Sequence, residues 1–459
     1  MVRFISSCRF AFLALLAACA ANTRAARAEE PVRLEEKFPA SYQYHVNVRV
    51  DLTGNVTLPA EKGKDAPKPI TISGDSAIEY DERVLTVDND GRVQKTARVY
   101  RKMDFQRKVG DKPQQASLRP EVRKVVLLLA KNRKGPFSPE GPLTWGEIDL
   151  IRTDVFTPTL AGLLPDKAVQ VDDRWKATEM AIKELTDLEK IDDGDVECRL
   201  EQFTTLEKRR HARVAFSGTV CGVNEDGPTK QQLTGYYYFD LESNHLSYLS
   251  LKGVNSLIDK DGKEVGRVEG RFTLTRQANQ RSKDLSDEAL KSWSLDPTAE
   301  NTLLLYDNPD LGVRFLYPRR WKVAGGLGRQ VDLDGSDGSG LRITLEAPET
   351  IPTAKQYLAE SRDFLQSQKA KILGLDAPRR LQDAPRELDQ FLIDVEIAKD
   401  RVTMVYYVAR QGKGGATLAA RLPTSDLAAL KKEVDAIARS LVITRAIEVE
   451  KPKPEPGKK

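Results

Sequence analysis

The sequence predicts an α+β protein: a curled, half-barrel-like antiparallel β-sheet with a helical insert, then an α/β/α sandwich with an antiparallel sheet. The first observation is that apolar and polar residues alternate with period two through much of residues 29–278, as in half-buried strands. The second is a polar stretch at 279–300 with the composition of a linker. The third is that residues 301–445 combine strand-like runs with two stretches of helical periodicity.

Residues 1–28 have the pattern of a signal peptide. An apolar core at 10–18 follows basic residues, and Ala26-Arg27-Ala28 is a cleavage site of the A-x-A type. This core is shorter than the ~20 residues that a membrane-spanning helix needs. Leu16-Ala17-Ala18-Cys19 also fits the lipobox of bacterial lipoproteins, so lipidation of Cys19 is an open alternative. Either cleavage predicts an exported protein, periplasmic or associated with the outer envelope, without a transmembrane span.

The β-rich domain, predicted for residues 29–278, begins with an amphipathic strand. Its apolar face carries Tyr42, Tyr44, Val46, Val48, Val50 and Leu52. His45 lies on the other face, which favours an exposed strand histidine over a metal ligand or a general base. Helical spacing around Ile148 and Ile151, and again at 160–164, predicts one or two helices that pack across the sheet.

An aromatic run is the most unusual local composition in this domain. It consists of Tyr236, Tyr237, Tyr238 and Phe239. On a strand, successive residues of the run point to opposite faces, which favours a central strand that is buried on both faces. The alternative is that these aromatic residues line a site for an apolar ligand in the curled sheet.

Cys198 and Cys221 are the two cysteines that follow the leader. An even number of cysteines in an exported chain favours a disulfide. If Arg209 and Arg210 form a two-residue turn between consecutive strands, the two cysteines lie directly opposite each other, within disulfide reach. The alternative is a pair of buried thiols, because Arg-Arg lacks the glycine or asparagine that such turns prefer.

The second domain, predicted for residues 301–445, contains two amphipathic helices among its strands. Thr353 is the expected N-cap of the first helix, and Gln356 completes a capping box. The apolar residues expected on the two helices are Tyr357, Leu358, Phe364 and Leu365, and then Leu427, Leu430, Val434, Ile437 and Leu441. Residues 446–459 alternate lysine, glutamate and proline, which predicts a disordered tail.

Two short motifs in this domain resemble those of the family that contains the extrinsic oxygen-evolving protein of photosystem II (PsbP-like). They comprise Gly312, Phe315, Tyr317, Pro318 and Trp321 at the start, and Ser440 and Leu441 at the end. The resemblance implies an α/β/α sandwich and a non-enzymatic role in binding or assembly, and it transfers no ligand-binding residue. Around 164–175, the N-terminal domain more loosely resembles half-barrel lipoprotein-carrier-like exported proteins of bacteria.

The charge balance argues against nucleic-acid binding. The formal net charge is +4, and four of the 72 basic residues lie within positions 1–28, which hold no acidic residue. The remaining basic residues equal the 68 acidic residues in number. No basic excess is therefore left in the mature chain to attract a polyanion.

No catalytic, metal-binding or cofactor-binding motif is complete in the sequence. The histidines are His45, His211 and His245, and none has a second histidine at ligand spacing. The loop at 332–340 lacks the glycine and glutamate positions of an EF-hand. The glycine-rich turns at 325–328 and 412–415 lack the spacing of a phosphate-binding loop. We therefore predict no catalytic residue, no metal and no cofactor.

Together, these observations predict a non-catalytic exported protein of the bacterial envelope with a role in binding or assembly. Its partner would be an unidentified envelope protein or a hydrophobic small molecule. The alternative function is a carrier of a lipid or other hydrophobic ligand in the N-terminal half-barrel. A hydrolase with dispersed carboxylates is a third hypothesis, which no residue pair in the sequence singles out.

Overall fold

The computed structural model describes residues 30–57, 68–130, 133–225, 227–382 and 384–448. The predicted signal peptide, Cys19 and most of the predicted disordered tail lie outside the described residues. The expectations of export, lipidation and disorder therefore stay predictions.

Strands make up most of the structure. In chain order they are β1 (Gln43–Val56), β2 (Ile70–Val87), β3 (Val93–Val109), β4 (Lys112–Ser117), β5 (Lys124–Ala130), β6 (Arg133–Phe137), β7 (Arg174–Lys176), β8 (Lys190–Leu206), β9 (Arg209–Asn224), β10 (Gly227–Asp240), β11 (His245–Ile258), β12 (Glu264–Ala278), β13 (Leu304–Asn308), β14 (Val313–Tyr317), β15 (Trp321–Gly325), β16 (Gln330–Gly335), β17 (Gly340–Glu346), β18 (Lys371–Leu375), β19 (Arg379–Arg380), β20 (Glu387–Ile397), β21 (Asp400–Gln411), β22 (Gly414–Pro423) and β23 (Val442–Ile443).

Helices are fewer and shorter among the described residues. The α-helices are α1 (Trp145–Thr153), α2 (Glu179–Thr186), α3 (Asp287–Leu290), α4 (Ala354–Ser367) and α5 (Leu427–Ser440). Short 3-10 helices lie at Pro120–Val122, Thr157–Leu163, Lys283–Leu285 and Thr424–Asp426. No helix within the described ranges is long and apolar enough to cross a membrane.

The chain divides into two compact units. Unit 1 comprises the residues up to Lys37, Val50–Ile72 and Phe156–Arg276, and unit 2 comprises Phe38–Arg49, Ser73–Val155 and the residues from Gln277 onward. The domain ranges expected from the sequence follow chain order instead, and they stay a prediction.

Unit 1 is built on long antiparallel strands in the order β12–β11–β10–β9–β8–β7. One face of these strands is buried: Val196, Leu200, Val214, Phe216, Tyr237 and Leu274 are at most 2% exposed. The inserted segment contributes Leu160, Leu163 and Ile182 to the buried apolar set. Of the helices that the sequence predicts between strands, the 3-10 helix at Thr157–Leu163 lies in unit 1, and α1 lies in unit 2.

Unit 2 contains strands in the order β6–β5–β3–β2–β1, where β2 contributes residues 73–87 and β1 contributes residues 43–49, and β4 pairs with β3. It also holds a three-stranded sheet, β13–β14–β23, and an eight-stranded sheet in the order β15–β16–β17–β22–β21–β20–β18, with β19 paired to β20. Helix α4 packs on an apolar cluster that includes Phe391 and Tyr406. Helix α5 contributes Asp435, whose Oδ1 accepts a hydrogen bond from the buried Gln390 Nε2 at 2.6 Å.

The predicted fold class is wrong. The sequence predicted an α+β chain with a half-barrel-like sheet followed by an α/β/α sandwich, whereas the structure is mostly β, with large antiparallel sheets and no clear sandwich. The physical reason is the small number of helices. An α/β/α sandwich needs a layer of helices on each face of its sheet, and the long helices described after residue 300 are α4 and α5 alone.

Several local predictions for the second half of the chain are confirmed. The Thr353 hydroxyl accepts from the Gln356 amide at the start of α4, and both parts of the capping box are present. On α5, Leu430, Val434 and Ile437 are buried as expected. Phe364 is the exception on α4, since 63% of it is exposed.

Candidate ligand-binding site

Strands β1, β2 and β3 place alternate residues on two opposite faces in unit 2, as the pleat of a strand requires. One face carries Gln43, His45, Glu79, Asp81, Arg83 and Arg101. The other face carries Tyr44, Tyr80, Glu82, Arg98 and Tyr100. The first face borders a pocket, and the second is buried in the core of the unit.

The pocket has a volume of about 290 Å³ and a wholly polar set of lining residues. They are His45, Asp81, Arg101, Gln277, Gln280, Arg281 and Ser282. Strands β1, β2 and β3 supply the first three residues, the end of β12 supplies Gln277, and the chain that follows β12 supplies the other three. This volume is near the lower end of the range typical of small-molecule sites.

Asp81 is the centre of the hydrogen-bond network at the pocket. His45 Nδ1 lies 2.8 Å from Asp81 Oδ1, and Arg101 Nε donates to Asp81 Oδ2 at 3.1 Å. Burial by itself would raise the pKa of Asp81, but the hydrogen bonds from His45, Arg101 and Ser282, with the charge of Arg101, lower the pKa to about 2. Asp81 is therefore an ionised carboxylate that already has partners in the protein.

The second nitrogen of His45 faces another carboxylate. His45 Nε2 lies 3.8 Å from Glu79 Oε1. The imidazole is thus held between Asp81 and Glu79, with its side chain 20% exposed. We expected an exposed strand histidine from the sequence, but His45 is half-buried and lines the pocket.

The pocket wall after β12 is anchored by side chains from β1 and β2. The Ser282 amide donates to Gln43 Oε1 at 3.0 Å, and Gln43 Nε2 donates to the Leu285 carbonyl at 3.3 Å. Arg83 Nη1 donates to the same carbonyl at 2.7 Å. These bonds fix the backbone that carries Gln280, Arg281 and Ser282, so the pocket is preformed.

The opposite face holds a fully buried ionic cluster. Arg98 Nε donates to Glu82 Oε1 at 2.7 Å, and Arg98 Nη1 donates to Asp154 Oδ2 at 2.7 Å. The Tyr44 hydroxyl donates to Glu82 Oε2 at 2.6 Å. Burial lowers the pKa of Arg98, but Glu82, Tyr80, Tyr100 and Asp154 together raise the pKa well above its usual value, so the guanidinium stays protonated. The side chains of Arg98, Glu82 and Asp154 are inaccessible to solvent, so this cluster stabilises the fold and presents no site.

The aromatic run lies on β10 of unit 1 and is divided between two faces. Tyr237 and Phe239 are 0% exposed, and the Tyr237 hydroxyl donates to the Leu163 carbonyl at 2.9 Å. Tyr236 and Tyr238 are half-buried on the other face, with their rings 5.9 and 6.0 Å from that of Tyr248. The face of β10 that carries Tyr237 and Phe239 is therefore buried, whereas the face that carries Tyr236 and Tyr238 is half-buried. The role of the four residues as an apolar-ligand lining stays a prediction.

Cys198 and Cys221 are free, so the predicted disulfide is wrong. The turn between β8 and β9 consists of Glu207 and Lys208, not of the two arginines that follow. Both turn residues have positive φ, 48° and 67°, as a type I′ hairpin requires. This register places Cys198 opposite Phe216 and Cys221 opposite Asp193.

The motif residues of the second domain have structural contacts. Gly312 has φ of 69°, which favours glycine, and Phe315, Tyr317, Trp321 and Leu441 are buried. The Leu316 amide donates to Ser440 Oγ at 2.9 Å, which joins the two ends of the motif. Pro318 precedes β15 at the turn, and Trp321 Nε1 donates to Glu433 Oε2 on α5 at 2.8 Å. The motif therefore holds β14 and β15 against α5.

In the part of the chain that the structure describes, no group of three or more His, Cys, Asp or Glu residues could hold a metal ion. In the loop at 332–340, Asp332 pairs with Arg342 at 2.8 Å, and Asp337 accepts from Ser339 Oγ at 2.6 Å. These carboxylates have protein partners.

The pocket was not predicted from the sequence. The polar alternation of Glu79, Asp81 and Arg83 on β2 was a usable signal, because charged residues at i, i+2 and i+4 share one face of a strand. Their partners His45 and Arg101 are distant in sequence, so only the strand pairing brings the five residues together.

The comparisons with known proteins give weak similarities. No family model and no curated protein matches the sequence. The solution structure of cyanobacterial PsbP from Synechocystis sp. PCC 6803 is 16% identical over 31% of this chain and 92% of that chain, with a TM-score of 0.25. A structure of lipovitellin, described for its lipid–protein interactions, is 8% identical over 54% of this chain, with a TM-score of 0.31.

PsbP belongs to the family that the two motifs of the second domain resemble, and its match covers less than a third of this chain. The match to lipovitellin spans 26% of the lipovitellin chain. At these TM-scores, neither similarity assigns a function.

Proposed function

We propose that the protein is a non-catalytic exported binding protein and that the pocket of unit 2 takes a small polar ligand. The observation that carries this proposal is the preformed polar pocket of about 290 Å³ beside β1, β2 and β3. A pocket that is built before the ligand arrives avoids part of the ordering cost of binding. Its lining supplies donors and acceptors and no large apolar side chain.

The geometry at His45 and Asp81 supports binding over catalysis. A general base works best when its pKa is near the working pH, and Asp81 has a pKa of about 2. His45 has one ring nitrogen against Asp81 and the other toward Glu79, so neither nitrogen is directed at a nucleophilic side chain. Asp81 therefore holds the side chains of His45 and Arg101 in place at the pocket.

The proposed location is the periplasm or the outer envelope, on the basis of the leader alone. N-terminal mass spectrometry of the protein from its native cells tests this proposal. A chain that begins at Glu29, or at a lipidated Cys19, supports export, and an intact Met1 in the cytosol contradicts it.

Native mass spectrometry after mild extraction from the native envelope tests the binding function. Gln280→Trp places a large side chain in the lining of the pocket, and Gln232→Trp makes the same change at an exposed position of unit 1. We expect the wild type and Gln232→Trp to retain a small polar molecule and Gln280→Trp to lose it. A wild type without any bound molecule, or equal retention by both variants, would contradict the proposal.

A carrier of a lipid or other apolar ligand in unit 1 is the alternative function, and it has less support. The apolar face of β10 is packed with the protein's own side chains, because Tyr237 and Phe239 are 0% exposed and Tyr237 binds Leu163. A lipid retained equally by both tryptophan variants in the same experiment would favour this alternative.

A further inference from the structure

We propose that the ligand of this pocket carries an oxyanion, a phosphate or carboxylate group, and that Arg281 is its principal partner. This inference rests on the proposed function and names the chemical class of its ligand.

The charges of the lining residues favour an anion. Two arginines, Arg101 and Arg281, face one aspartate in the pocket. Asp81 is already paired with Arg101 and hydrogen-bonded to His45. A ligand cation would meet two guanidinium groups, and Asp81, the carboxylate in the lining, already has partners.

Of the two arginines, Arg281 is the one with unused capacity. Arg101 interacts with Asp81, and the charges of Asp284 and Glu79 also raise the pKa of Arg101. Arg281 makes no hydrogen bond or ion pair with any residue that the structure describes. An exposed arginine without a partner would gain a charge-assisted hydrogen bond from an anion that enters the pocket.

The neighbouring donors fit the same chemistry. A guanidinium group presents parallel N–H groups that bind two oxygens of a phosphate or carboxylate at once. Gln277, Gln280 and Ser282 add amide and hydroxyl donors around Arg281 in the same pocket. A neutral ligand would satisfy these amides and leave the arginine charge without a counterion.

Titration calorimetry on the processed full-length chain tests the inference with three probes. The probes are inorganic phosphate, acetate, and vesicles of phosphatidylglycerol in phosphatidylcholine, compared with phosphatidylcholine alone. The variants are Arg281→Gln, Arg281→Lys and, as a matched control, Arg271→Gln at an exposed position of β12. We expect Arg281→Gln to weaken binding at least about tenfold, Arg281→Lys to restore part of it, and Arg271→Gln to match the wild type.

The probes distinguish two sources of the anion. Binding of phosphate or acetate that depends on Arg281 supports a free anion, and binding of the anionic vesicles alone, with the same dependence, supports a lipid headgroup. No binding of any probe, or binding unchanged in Arg281→Gln, overturns the inference. If the native protein then carries a neutral molecule that Gln280→Trp loses, the proposed function stands and only the anionic class fails.

Discussion

Asp81 and Glu82 are consecutive residues of β2 that belong to separate ionic networks on opposite faces. Asp81 binds His45 and Arg101 at the pocket, while Glu82 binds Arg98 and Tyr44 in the core. The period of two along a strand makes this division possible. The buried network fixes the strands whose other face forms the candidate site.

Loss of the buried guanidinium should destabilise the protein strongly. Arg98→Ala leaves Glu82 and Asp154 buried without their ion-pair partner, and such a loss costs about 3–5 kcal/mol. The exposed Arg92, in the turn before β3, is the control, and Arg92→Ala should change stability by less than about 0.5 kcal/mol. Urea unfolding followed by circular dichroism measures both, and equal effects of the two variants would contradict a stabilising role for the cluster.

Acid should destabilise unit 1 through His245. Burial, followed by the charge of Arg276, lowers the pKa of His245 from 6.5 to about 4. Between these two pH values the unfolded chain binds a proton that the folded chain does not, so stability falls as the pH falls. The full effect is about 3 kcal/mol and is complete near pH 4.

The measurement is urea unfolding at several pH values between about 7 and 4. His245→Gln removes this titration, and its stability should fall less steeply with acid than that of the wild type. Parallel curves for the two proteins would show that His245 is not the group responsible.

The two cysteines should titrate as free thiols. The unfolded, unreduced chain processed after Ala28 should react with a thiol reagent at both Cys198 and Cys221. In the folded protein, Cys221 should react first, because burial raises the pKa of the Cys198 thiol to about 12. Absence of reactive thiols in the unfolded, unreduced chain would contradict the β8–β9 register.

The hydroxyl of Tyr237 should stabilise unit 1, and that of Tyr238 should not. Tyr237→Phe removes a buried hydrogen bond to the Leu163 carbonyl, which still accepts from Trp175 Nε1 at 2.8 Å. We expect a loss of about 1 kcal/mol. Tyr238→Phe, on the half-buried face, serves as the control in thermal unfolding. A larger loss for the control would mean that the faces of β10 are reversed.

Local patterns predicted much of the secondary structure. The alternation on β1 correctly indicated that Tyr44, Val46 and Val48 are buried, and the capping box correctly indicated the start of α4. These features depend on nearby residues. Phe364 was wrongly expected in the apolar stripe of α4. Leu365 beside it faces the core, and successive helical residues are rotated by about 100°, so Phe364 points away from the core.

Local sequence patterns did not predict the strand register or the pairing of strands within the sheets. Glu207 and Lys208 form the turn with positive φ at residue types that rarely adopt it, so no turn signal marked them and the cysteine register was misplaced. The pocket depends on pairings between residues far apart, such as Gln43 with Leu285, which are 242 positions apart. Alternation shows which residues share a face and leaves open which strand lies beside them.

The most direct test of the proposed binding site is a crystal structure of the protein isolated from its native cells without refolding. We expect a small polar molecule in the pocket, with an oxygen within hydrogen-bond distance of the Arg281 guanidinium and the His45–Asp81 pair unchanged. A pocket that holds only ordered water, with a retained ligand bound elsewhere on the protein, would contradict this expectation.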